Sequence, residues 1–343
     1  MHKSYFYYLK LLIVAAISLI LVTACHSHLY QKPNLLKASL RNPECQLVKH
    51  ELGETCVPIK PQRILVTDQV SLEIVLALGL KPIASPDPGF IGSKANFLGQ
   101  QMEGVNYIGK ENQLNIEKIV YLYPDLIIGL YNLSSESYNL FSQIAPVIKL
   151  KYNQIYWKDA LRETGRILGR SEQAEKLITQ YQKRIEDLKI ALGEKLNQIK
   201  VSIGRFHGQV QSAEFRSQFS FPGSILSEIG LSLPEEQRKL IKQPSDNFII
   251  VSFERIDLLD ADFFFVAVDP GAKELFKKYQ KHELWQQLKA SKNKRIYLVD
   301  SSYWIFGNIL SANAILDDLS KYLLSEIQQG TGNREQGTEL KVY

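Results

Sequence analysis

Residues 117–128 and 254–265 carry one pattern twice. Glu117-Lys118-Ile119-Val120-Tyr121-Leu122-Tyr123-Pro124-Asp125-Leu126-Ile127-Ile128 and Glu254-Arg255-Ile256-Asp257-Leu258-Leu259-Asp260-Ala261-Asp262-Phe263-Phe264-Phe265 share their layout. Each runs Glu, basic, Ile, two residues, Leu, two residues, Asp, then three apolar β-formers. A second echo precedes each: Leu76-Ala77-Leu78-Gly79-Leu80-Lys81-Pro82, and Leu226-Ser227-Glu228-Ile229-Gly230-Leu231-Ser232-Leu233-Pro234. Two matches in the same order point to two similar α/β lobes, which suits a chain of 343 residues.

The stretch between the repeats contains no proline and one glycine from Ser171 to about Lys200. Ala174, Leu177, Ile178, Tyr181, Ile185 and Leu188 recur there at helical spacing, which predicts one long helix joining the lobes. Elsewhere short apolar strands alternate with helical stretches. Strands are expected at 63–67, 82–84, 126–128, 147–150, 201–203, 248–251, 263–268 and 295–299. Helices are expected at 72–78, 116–122, 135–144, 223–229, 254–259, 284–290 and 309–325. Alternation of this kind implies α/β architecture with parallel-type sheets covered on both faces.

The N-terminus bears on location. Lys3 and Lys10 precede an uncharged, Leu/Ile/Val/Ala-rich run from Leu11 to Ala24. A membrane span needs about 20 apolar residues, so this shorter run fits a secretory signal. It ends in Leu21-Val22-Thr23-Ala24-Cys25, which resembles the bacterial lipobox and makes Cys25 the expected lipidation site. After export, Cys45 and Cys56 are close enough to pair in an oxidising compartment. Closing so short a loop contributes roughly 2–3 kcal/mol. His50 between them raises a metal site as the alternative, but two thiols and one imidazole lack a fourth ligand. The chain therefore divides into a signal peptide (1–24), a tether and disulfide hairpin (25–57) and an N-terminal lobe (58–168). A linking helix (169–200), a C-terminal lobe (201–327) and a polar tail read as disordered (328–343) complete it.

Composition removes other classes. Hydrophobic residues make up 45% and charged residues 22%, an ordinary globular balance. A net charge of +5 without a Lys/Arg block argues against a nucleic-acid partner. No Gly-x-Ser-x-Gly elbow, His-Glu-x-x-His helix, phosphate-cradling loop or paired-carboxylate signature appears, so an enzyme is not expected.

Several stretches together resemble the substrate-binding proteins of bacterial ABC importers for iron-siderophores and vitamin B12, most closely the ferric-citrate and ferric-siderophore branch. They are Pro61-Gln62-Arg63-Ile64-Leu65-Val66-Thr67, Asn115-Ile116-Glu117-Lys118-Ile119, Phe221-Pro222-Gly223-Ser224-Ile225-Leu226-Ser227-Glu228-Ile229-Gly230, and Ser252-Phe253-Glu254-Arg255-Ile256. The resemblance covers residues 43–325. It implies two lobes bridged by a rigid helix, ligand held between them, and little motion on binding. It also implies an envelope location by lipid anchor, a monomer, and a partner permease dimer with its ATPase subunits. In that family one exposed glutamate per lobe docks onto the permease, and Glu117 and Glu254 match that motif.

A ferric siderophore is bulky, often anionic, and brings its own oxygen ligands to iron, so no cofactor and no direct protein–iron bond are expected. The protein needs guanidinium groups and aromatic rings at the carboxyl ends of its strands. Arg205, Phe206 and His207 follow the strand at 201–203. Arg216 is expected in a polar loop with Phe215 and Phe219. Tyr303 and Trp304 follow the strand at 295–299, Tyr131 follows 126–130, and Tyr107 and Lys110 precede the Glu117 helix. Glu73 is read as structural. Cobalamin or haem is the alternative ligand, and a structural lipoprotein a further alternative.

Overall fold

The first half of the repeat builds a five-stranded, all-parallel sheet in the order 106–107, 84–85, 64–66, 126–129, 147–149. Its central strands, Ile64–Val66 and Leu126–Gly129, are buried throughout, as strands covered on both faces must be. The second half builds another five-stranded sheet in the order 248–251, 212–216, 201–207, 263–268, 296–299. Here Val201–His207 pairs in parallel with Phe263–Val268, which pairs in parallel with Ile296–Val299. On its other side the strand pairs antiparallel with Ser212–Arg216, and that strand antiparallel with Phe248–Val251. The second sheet is thus mixed, and the expected polar loop around Arg216 is a strand. Ala213 and Phe215 enter the core on one face while Glu214 and Arg216 lie on the other, the period-two pattern of a strand buried on both sides.

In this computed structural model the described residues are 44–87, 97–131 and 133–329. Cys25, the signal segment and the tail from 330 lie outside them. Contacts group Gln46–Tyr343 into a unit that holds both sheets, and of the unit Met1–Cys45 only the last two residues are described. Cys45 and Cys56 are disulfide-bonded, and the strands Cys45–His50 and Gly53–Pro58 form the expected hairpin. Both ring nitrogens of His50 are engaged, one with the Thr55 hydroxyl at 3.0 Å and one with the Leu52 N–H at 3.2 Å.

The linking helix spans Ser171–Leu192, shorter than its pattern suggests. Gly193 ends it with φ of 54°, where a residue with a side chain would be strained. The helix buries Ala174, Ile178, Tyr181, Ile185, Leu188 and Leu192 in one hydrophobic cluster that also holds Val66 and Leu72 of the first lobe and Ile203, Phe221 and Leu316 of the second. The lobes therefore share a core. The final helix, Ile309–Gln329, adds to it by packing on the linking helix and on Gln69–Ala77. Helices Trp157–Ile167, Glu235–Leu240 and Lys273–Lys281 escaped the sequence pattern, although the first buries Trp157 completely.

Candidate functional site

A cleft of about 560 Å³ opens between residues of the two lobes. Gln69, Val70, Glu111 and Tyr131 line it from the first. Arg205, His207, Val210, Ser212, Glu214, Arg216, Asn247, Phe248 and Ile250 line it from the second, with Gln154 and Phe306 completing it. The pleat explains which side chains arrive. Arg205 and Glu214 face each other across the antiparallel pair, and Arg216 follows Glu214 by two residues, so all three share one face. Phe206 takes the opposite face and packs against Phe276, Tyr279 and Trp285 at ring separations of 4.9, 5.1 and 6.3 Å.

The cleft floor is an ion-pair chain. Arg205 donates through Nε and Nη2 to the Asp269 carboxylate, the shortest bond being 2.7 Å. Arg216 donates through Nη1 to Glu214 at 2.8 Å and through Nη2 to the Gln154 side-chain oxygen at 3.3 Å. Sequence alone gave Arg205 no acidic neighbour. Asp269 supplies one because the parallel pairing brings residues 201–206 beside 263–268, and the Asp269 N–H donates to the Phe206 carbonyl at 3.0 Å. Arg216 is 1% exposed, and burial lowers its pKa from the usual guanidinium value. Among the described residues its Nε has no hydrogen-bond partner, nor does Nε2 of Gln69. Burial, reinforced by Arg205, also lowers the His207 pKa, which favours the neutral imidazole.

Phe306 covers this floor. Its ring centre lies 5.9 Å from the Arg205 guanidinium carbon, 5.6 Å from that of Arg216 and 5.3 Å from the Tyr131 ring. Phe248 approaches Arg216 from another side at 5.5 Å. Tyr131 is positioned by Asp68, whose buried carboxylate accepts from the N–H groups of Leu130 at 2.7 Å, Tyr131 at 3.3 Å and Ser71 at 2.8 Å. The Tyr152 hydroxyl donates to the Gly307 carbonyl at 2.9 Å, next to Phe306.

Of the residues singled out from sequence, Tyr131, Arg205, His207 and Arg216 come together here. Trp304 is fully buried, stacks on Phe265 at 4.9 Å and donates to Asp318 at 2.7 Å. Tyr303 donates to the same carboxylate at 2.9 Å. Both belong to the seam between the short helix Ser301–Trp304 and the final helix. Tyr107, 42% exposed on the edge strand Asn106–Tyr107, and Lys110, in the hairpin of Gly109–Lys110 and Gln113–Leu114, do not line the cleft. Phe306, Glu214, Gln154 and Phe248 were not singled out. The Glu-x-Arg spacing of Glu214 and Arg216 was a readable sign of a shared strand face, whereas nothing near Phe306 in sequence announces a cleft. Glu117 and Glu254 are both exposed, each in the first turn of a short helix that leads into a sheet strand.

A profile of the periplasmic binding protein family matches residues 64–303. The chain is 32% identical over 333 residues to the probable siderophore-binding lipoprotein YfiY of Bacillus subtilis, covering 92% of this chain and 98% of that one. It is 30% identical over 308 residues to the achromobactin-binding periplasmic protein of Dickeya dadantii, covering 86% and 97%. Among solved structures, Staphylococcus aureus SirA complexed with staphyloferrin B superimposes with a TM-score of 0.70 at 24% identity, over 81% of this chain and 98% of that one.

Proposed function

The chain belongs to the periplasmic binding protein family, and from that premise we propose that it captures a ferric siderophore in the interlobe cleft and delivers it to an ABC importer. The observation that carries this reading is the cleft itself, where two guanidiniums and the rings of Phe306, Phe248 and Tyr131 surround about 560 Å³. The relatives named for siderophore and achromobactin binding support it. The chelator saturates the iron, so the protein acts by shape, stacking and hydrogen bonding and performs no reaction. Cys25 carries the lipid anchor at the envelope membrane, and more than one acyl chain is needed for stable anchoring.

Delivery needs a second surface. Glu117 and Glu254 occupy matching places in the repeat and face solvent, and two like charges suit a two-fold permease. Intrinsic tryptophan emission of the mature chain, titrated with ferric chelates against cobalamin and haemin, tests the ligand assignment. Saturable quenching by a ferric chelate alone is expected; quenching by cobalamin or haemin alone would transfer the cleft to that ligand.

A further inference from the structure

Both arginines on the cleft floor are already neutralised. Arg205 faces Asp269 at 2.7 Å and Arg216 faces Glu214 at 2.8 Å. Glu111 adds a further carboxylate to the lining, accepting from the Gln69 N–H at 2.8 Å. Among the described lining residues there is no Lys or Arg beyond these two. A guanidinium whose charge is shared with a carboxylate repays little of the desolvation of a second anion.

The lining offers something different from bare positive charge. Arg216 Nε and Gln69 Nε2 are buried donors without partners among the described residues, suited to oxygen acceptors of low charge such as hydroxamate or amide carbonyls. Val210, Phe248, Ile250 and Phe306 supply apolar faces for a carbon skeleton. We propose, resting on the ferric-siderophore reading above, that the cleft selects ferric chelates that are uncharged or singly negative, of hydroxamate or mixed hydroxamate–carboxylate type, and discriminates against trianionic catecholate and polyanionic citrate complexes.

The test is equilibrium titration of the mature chain with four chelates at one ionic strength: a ferric trihydroxamate, a ferric dihydroxamate–citrate, a ferric tricatecholate and ferric dicitrate. The first two are expected to bind at least about tenfold tighter than the last two. A tricatecholate or dicitrate complex that binds as tightly as either hydroxamate overturns the selectivity while leaving siderophore capture standing. Silence from all four overturns the capture reading and the selectivity with it. In Glu214→Gln, which frees Arg216, the preference is expected to narrow by about tenfold through tighter binding of the polyanions. A folded Glu214→Gln protein with an unchanged ratio removes charge compensation as the cause.

Discussion

Glu73 and Ser311 are joined twice: the Ser311 N–H donates to Oε1 of Glu73 at 2.8 Å, and its hydroxyl donates to Oε2 at 2.7 Å. The Asn308 N–H donates to the same Oε1 at 2.8 Å. A fully buried carboxylate from the first lobe thus serves the N-terminus of the final helix, where backbone donors have no intrahelical partners. The contact ties the segment just after Phe306 to the first lobe.

Glu73→Ala leaves those donors buried and unsatisfied. It should lower stability by about 2–4 kcal/mol, read as a shift in the urea midpoint with little change in slope. Glu73→Gln retains an acceptor and should lose less; equal losses would mean that packing, not the latch, sets the effect.

Phe306→Ala should weaken ferric-chelate binding by about 1–2 kcal/mol, since it removes the ring over both guanidiniums without leaving a buried charge unpaired. Arg205→Ala should also weaken binding, by about 1–3 kcal/mol, but with a loss of stability because Asp269 is stranded. Calorimetric titration beside thermal melts separates the two cases. Unchanged affinity in Phe306→Ala would remove that ring from the site.

Much of this fold was legible because repeated apolar strands and one uninterrupted helical stretch are local patterns. The cleft was legible only in part, for a geometric reason. Arg205, Phe206 and His207 look equivalent in sequence, yet a strand must send Phe206 to the face opposite its neighbours. Trp304 follows a strand as a cleft residue would, but the Asp318 carboxylate and the Phe265 ring draw it inward. Phe306 and Asp269 reach the site through pairings between distant segments, which spacing along the chain does not encode. Trp304→Ala is accordingly expected to cost about 3–5 kcal/mol of stability, a cavity effect visible without any ligand.

The depressed pKa of His207 gives stability a direction with pH. Below the ordinary imidazole value near 6.5 the unfolded chain takes up a proton that the folded chain refuses, so stability falls as pH drops through that window toward the folded pKa. His50 is lowered by burial and acts with the same sign. Urea unfolding between pH 7 and pH 5 should show a shallower loss in His207→Gln than in the parent protein. Parallel curves would mean His207 titrates as it does in the unfolded chain.

The disulfide should resist alkylation at Cys45 and Cys56 until reductant is added, and replacing both cysteines by serine should lower stability by roughly 2–3 kcal/mol. Mass analysis under non-reducing conditions reads the first, and chemical denaturation the second.

The permease surface should separate from the cleft. Glu117→Arg with Glu254→Arg is expected to abolish radio-iron uptake while solution affinity for the chelate stays within about twofold. Normal uptake in the double variant would contradict docking, and loss of binding together with uptake would return both residues to a structural role.

The most direct measurement is the position of the iron, found by anomalous scattering from crystals grown with a saturating ferric chelate. The predicted peak lies in the interlobe cleft lined by Tyr131, Arg216, Phe248 and Phe306, with every iron ligand drawn from the chelator. A peak outside that cleft, or an iron held by protein side chains such as His207, would contradict the account.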